Sequence, residues 1–189
     1  LITQPHDTHA HVLISPLCEL EPVLAERIRG EVARVFGYPT EIRPLLNDVE
    51  FVLDEDRRQY HSTLILESLA RAAPANALKV LAIVGVDLFI PILTHVYGEA
   101  QLGGRACVVS TYRLKEGLPP ARNPEAFQFR LVKEAVHELG HTFSLRHCKD
   151  PSCIMHYCRS VKDVDRKSME LCRYCRIMLN DEIKRGGRT

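Results

Sequence analysis

The chain has 189 residues, 46% of them hydrophobic and 26% charged, a globular composition with enough apolar material for one core. Its 25 Lys and Arg against 24 Asp and Glu leave a formal net charge of +1, which excludes both the broad cationic field of a nucleic-acid binder and a strongly acidic surface. No stretch reaches the roughly 18 uninterrupted apolar residues of a membrane span, and the opening LITQPHDTHA lacks a charged segment followed by an apolar one, so one cytoplasmic domain over residues 1–189 is expected.

The first apolar run, residues 11–17 (HVLISPL), reads as a strand. A helix over residues 22–36 follows, with Val23, Ile28, Val32 and Val35 at helical spacing and Gly37 as its stop. A second strand is expected over residues 41–46 and, after a polar stretch, a helix over 60–73 that ends before Pro74. Residues 78–84 (LKVLAIV) are almost continuously apolar, which suits a central strand covered on both faces. Residues 94–111 hold two short strands separated by Gly103 and Gly104, an edge strand turning into an inner one. Prolines make residues 115–124 a loop, and Asn123 before Pro124 is an N-cap with proline at the first helical position. After a cysteine-rich connection comes a helix over 163–183 with Val164, Leu171, Met178 and Leu179 as its apolar residues, then a frayed tail. This order predicts an α/β fold with a mixed, mostly parallel twisted sheet: sheet and helices in 1–122, an active-site helix and a C-terminal helix in 123–189.

Residues 137–147 read HELGHTFSLRH. On a helix, positions i and i+4 differ by about 40° in azimuth, so His137 and His141 reach one ion from one face, and His147 adds a third imidazole. Three protein nitrogens leave the fourth tetrahedral position of zinc to water, whose pKa falls to roughly 7, with Glu138 beside it to accept the proton. This is the inventory of a catalytic zinc hydrolase. Of the other histidines, His6, His9 and His11 read as a polar terminus, while His61 and His95 have no recognisable partners. Tyr97 and Tyr157 are phenols able to donate to an oxyanion, and spacing selects neither.

Five of the seven cysteines fall between Cys148 and Cys175. An odd number crowded into one segment points to metal and not to a disulfide framework. Cys148 with Cys153, and Cys172 with Cys175, make two pairs of the kind that build closed tetrahedral zinc sites. Cys172 and Cys175 are i, i+3 neighbours on the expected C-terminal helix. Cys158 and His156 lie within reach, and either could replace one of the four. Cys18 and Cys107 lie in apolar stretches and read as small buried hydrophobes.

The three histidines match the extended HExxHxxGxxH signature of the metzincin metallopeptidases, with Ser144 at the glycine place. A non-glycine residue in the left-handed turn required there costs about 1–2 kcal/mol. With a cysteine directly after the last histidine, then C-x-M and a later CxxC, residues 137–175 resemble the archaemetzincin family, and residues 98–114 (GEAQLGGRACVVSTYRL) are similar to it with less specificity. The resemblance implies a compact metzincin-like domain holding two zinc ions. His137, His141 and His147 would hold the catalytic ion, with Glu138 as general base. Met155 would be the methionine of the Met-turn, and Cys148, Cys153, Cys172 and Cys175 would hold a structural ion. The expected substrate is a peptide, added as a strand to an edge within residues 94–103. Two rivals are a metal-dependent RNA hydrolase, since H-x3-H-x5-H also occurs in bacterial rRNA-maturation metal hydrolases, and a non-catalytic zinc-stabilised peptide-binding module. Glu138 and the near-zero net charge weigh against RNA, whereas a basic cleft at the zinc would favour it.

Overall fold

In the computed structural model, which describes residues 10–118 and 124–186, the first apolar run forms β1 (His11–Pro16) and leads into α1 (Pro22–Phe36). Proline opens α1, and Gly37 closes it at φ 76°, donating its N–H to the Ala33 carbonyl. α1 buries Leu24, Ile28, Val32, Val35 and Phe36, whereas Val23, expected on that face, is exposed. His11 is not part of a solvated terminus: it is buried in β1, 3.4 Å from Glu41. β2 (Thr40–Ile42) is shorter than expected, because Pro44 has no N–H to offer a ladder and the Leu45 N–H turns to Ser15 Oγ.

A small sheet of β3 (Leu53–Asp54), β4 (Gln59–His61) and β6 (Leu88–Phe89), absent from the sequence expectation, takes Tyr60 and His61 out of the expected helix and leaves α2 at Ser62–Ala72. The main sheet adds β5 (Ala77–Val84), β7 (Gly98–Ala100) and β8 (Ala106–Ser110), in the order β2-β1-β5-β8-β7. All its pairings are parallel except β7 with β8, so β8 is the inner strand and β7 the edge. Along central β5 the side chains alternate between two cores. Val80, Ala82 and Val84 pack with Ile65, Leu66 and Leu69 of α2, while Leu81 and Ile83 pack under α1 and the long helix α3 (Pro124–Thr142).

α3 is buried on almost every side from Arg130 to Gly140. The expected cap Asn123 lies outside the described residues, as do His6, His9 and residues 187–189. Beyond α3, the single C-terminal helix expected over 163–183 is two helices, α4 (Val161–Arg166) and α5 (Arg173–Gly186). Lys167 breaks the run with extended backbone (φ −66°, ψ 149°), and its fully buried side chain reaches Glu134 of α3, Nζ to Oε1 2.6 Å. Leu171 is buried between the two helices, Leu179 is buried on α5, and Met178, expected on the apolar face, is 43% exposed. Residues 184–186, expected to fray, are helical. No described helix is long and apolar enough to cross a membrane.

Candidate active site and metal centre

α3 carries His137, Glu138 and His141 toward the edge strand. His137 Nδ1 lies 2.8 Å from the Ile154 carbonyl and His141 Nδ1 lies 2.7 Å from the Leu145 carbonyl. A carbonyl only accepts, so each Nδ1 carries the proton and each neutral ring leaves a lone pair on Nε2. Those two Nε2 atoms face each other at 3.1 Å. Two acceptors so placed repel unless a cation lies between them, and two nitrogens about 2.0–2.1 Å from a tetrahedral zinc are themselves about 3.4 Å apart. The His147 ring stands 5.3 Å from that of His137 and 4.8 Å from that of His141, and one ligand atom from each histidine lies within 4.8 Å of the others. Burial, with Lys167 and the neighbouring rings adding to it, pushes His137 well down and His147 to about 4, and burial also lowers His141. The neutral form that binds metal is therefore the resting form.

The chain returns His147 to this point through a reversal at the end of α3. Leu145 N–H donates to the Gly140 carbonyl and Ser144 N–H to the His141 carbonyl, the two bonds of a Schellman closure, with Ser144 in the left-handed position at φ 64°. Ser144 Oγ donates to Glu182 Oε1 of α5 at 3.1 Å, tying the unusual residue to the next helix. Beneath the histidines Met155 is fully buried, and its carbonyl accepts the Cys148 N–H at 2.8 Å. A Cβ on Gly140 would come within 2.5 Å of Met155 Sδ, and one on Gly98 within 2.7 Å of Glu138 Cγ. These two glycines let the methionine turn and the edge strand press onto α3. Sequence reasoning passed over both, although a glycine inside a helical run is a recognisable signal of close packing.

A cleft of about 690 Å³ runs over the three histidines. Its lining includes β7 and the residues before it, Glu134, Glu138, the Arg146–His147 pair and residues 157–159. His95, set aside from the sequence, belongs to this wall, and Cys158 lines the cleft too. Glu138 is buried, which pushes its carboxyl well up; Glu134 adds to the shift and Lys167 opposes it. Of the two phenols, Tyr157 is half-exposed with its ring 5.0 Å from His147, whereas Tyr97 is buried and pushed up to about 12 by that burial. On the edge strand, Ser110 N–H donates to the Tyr97 carbonyl and Gln101 N–H to the Ala106 carbonyl. By strand alternation, the main-chain groups of Gly98 and Ala100 turn away from β8, toward the open edge.

The second cluster lies below. The sulfurs of Cys148, Cys153, Cys172 and Cys175 all fall within 4.8 Å of one another, with Cys148 and Cys172 Sγ 3.7 Å apart. Two thiolates about 2.3 Å from a tetrahedral zinc are about 3.8 Å apart, so the set fits that ion. No disulfide forms among the described cysteines. Cys172 N–H points at Cys153 Sγ and Cys175 N–H at Cys172 Sγ. Although burial opposes it, the Cys175 N–H and the neighbouring thiols of Cys175, Cys148 and Cys153 hold the Cys172 thiol below its ordinary value. Cys172 stands just ahead of α5, not within it as expected. The two alternatives stay outside: His156 Nδ1 bonds to the Cys148 carbonyl, and Cys158 Sγ lies 3.5 Å from the His156 carbonyl. Cys107 is buried as expected, while Cys18 is only half-buried.

Residues 48–181 match the family model of peptidase family M54. The archaemetzincin of Methanopyrus kandleri is 42% identical over 164 residues, covering 87% of this chain and 90% of that protein. Its crystal structure superposes with a TM-score of 0.80 at 33% identity, over 95% of this chain and 98% of that one. The crystal structure of the Archaeoglobus fulgidus archaemetzincin, complexed with malonate, gives a TM-score of 0.75 at 34% identity, over 89% of this chain and 99% of that one.

Proposed function

Because this chain belongs to peptidase family M54 and is a zinc metallopeptidase, we propose that His137, His141 and His147 hold the catalytic zinc and that Glu138 is the general base. The observation that carries the assignment is the facing pair of Nε2 lone pairs at 3.1 Å, in the same cleft as a buried carboxyl. Zinc held there supplies a Lewis acid that acidifies water and polarises the scissile carbonyl. Glu138 takes the proton of the attacking water and returns it to the leaving amine. Burial raises its proton affinity, which favours its taking the proton of the water. Gly98, with no side chain, lets the edge strand lie against Glu138, and the outward main-chain groups of Gly98 and Ala100 pair with an extended peptide by strand addition. Tyr157, half-exposed beside His147, is better placed than buried Tyr97 to donate to the developing oxyanion.

In this reading a second, structural zinc sits on Cys148, Cys153, Cys172 and Cys175, giving two ions per chain. Met155 forms the Met-turn of a metzincin, and residues 1–189 act as one peptidase domain. Elemental analysis should return two zincs per chain. Glu138→Gln should keep both and lower peptide turnover by about 10²–10⁴-fold. A variant that processed peptides as fast as the parent would remove Glu138 from the mechanism. A parent that bound peptides and cleaved none would favour the non-catalytic module.

A further inference from the structure

The charged groups of the cleft divide into those that already have partners and those that do not. Glu134 is paired with buried Lys167. Glu99 accepts hydrogen bonds from the hydroxyls of Ser62 and Thr63 at the start of α2. Glu138 is buried against Gly98. Arg146 and Arg159 also line the cleft. Both are exposed, and neither guanidinium has an ion pair or hydrogen bond among the described residues. They come from two segments that meet at the His147–Tyr157 ring contact, Arg146 directly before His147 and Arg159 two residues after Tyr157. The chain as a whole carries a net charge of only +1, so two uncommitted cations beside the metal-binding histidines are a local feature and not a sample of a basic surface.

We infer that Arg146 and Arg159 select peptides with acidic side chains close to the scissile bond. The inference rests on the peptidase reading above and adds the substrate class to it. A guanidinium presents a planar fork that matches a carboxylate bidentately; of the cleft carboxylates Glu134 and Glu99 are held by Lys167 and by the α2 hydroxyls, and Glu138 is buried, so neither exposed arginine is paired with one of them. RNA is disfavoured as the anion: two cations make no track for a phosphate backbone, and Glu99, Glu134 and Glu138 line the same cleft. Because both arginines are exposed, each contact contributes a few-fold at most and is screened by salt.

The test is competitive cleavage by the full, zinc-loaded chain of peptide sets differing only in Glu, Gln or Lys on either side of the scissile bond, with binding of the same peptides to Glu138→Gln and an RNA oligonucleotide as control. At low salt the Glu peptides should lead the Gln peptides by about five- to tenfold in kcat/KM. The ratio should fall toward one at 0.5 M salt and in Arg146→Gln, Arg159→Gln, and return in part with Arg146→Lys, Arg159→Lys. Equal cleavage of Glu, Gln and Lys peptides, or an unchanged ratio in the double Gln variant, overturns the inference and leaves the peptidase reading standing. Failure of every peptide both to bind and to be cleaved overturns both. RNA cleavage that requires Glu138 replaces them with the hydrolase reading.

Discussion

The two ligand clusters are built on opposite principles, although they adjoin. The histidines come from eleven consecutive residues, one helix and the turn that closes it, and they face a cleft. The cysteines are gathered from Cys148, Cys153, Cys172 and Cys175, the last pair at the start of α5, and half of them are buried. Three nitrogens keep one coordination position open for chemistry, while four thiolates close a site and turn its binding energy into folding energy. The link between them is the peptide bond from His147 to Cys148, together with the Cys148 N–H bond to the Met155 carbonyl. On the proposed assignment, the cluster that would react is thus anchored to the one that would stabilise.

The sharpest way to break that picture is to remove the closed site. A structural zinc contributes an apparent 10–16 kcal/mol, to order of magnitude about that seen in zinc-finger peptides. Cys172→Ser, Cys175→Ser should therefore lose its ion, lower the thermal midpoint and reduce metal occupancy at the histidines. Full occupancy with an unchanged melting curve would show that the clusters are independent. A smaller effect should follow from acid once the histidine-bound ion has been chelated. His147 then has a folded pKa of about 4, below its ordinary 6.5, so as pH falls the unfolded chain takes up its proton first. Stability from this group is complete above about pH 6.5 and lost as pH falls through about 4. Denaturant midpoints of the parent against His147→Asn across pH 7 to 4 would check this, with the gap narrowing as the pH falls. The smallest effect belongs to Ser144→Gly. Relief of the left-handed turn, about 1–2 kcal/mol, is offset by loss of the hydrogen bond to Glu182, about 0.5–1.5 kcal/mol. A net gain of under about 1 kcal/mol should appear as a slight rise in Tm. A drop instead would make the Glu182 bond the stronger term.

What could be read from the sequence was the chemistry that sits close together along the chain. The HELGHTFSLRH spacing needed only helix periodicity and coordination numbers, the pairing of the cysteines was legible from spacing while the choice of these four over Cys158 and His156 came from the family resemblance, and β5 and the edge position of β7 followed from apolar continuity and from turn residues. The break between α4 and α5 could not be read, because neither proline nor glycine marks it. It arises from Lys167 turning in to meet Glu134, 33 residues earlier in the chain. Gly98 and Gly140 matter for the same kind of reason: their missing side chains make room for Glu138 and for Met155, neighbours that only the fold supplies. Val23 and Met178 show the limit of periodicity itself, since a helix end or an exposed flank leaves an apolar residue outside the core.

The brevity of β7 carries a further consequence. An unpaired strand edge invites a second copy of the same protein as readily as it invites a peptide, and long flat edges nucleate sheet-to-sheet aggregation. Here the edge is three residues long, with Gly98 and Ala100 alone turning their main chain outward. Two protomers meeting edge to edge would gain few hydrogen bonds and no metal contact, whereas the proposed peptide substrate would gain those hydrogen bonds and a contact with the zinc as well. On the proposed reading, the colloidal behaviour of the protein and its grip on an extended chain would thus be set by the same short stretch of backbone.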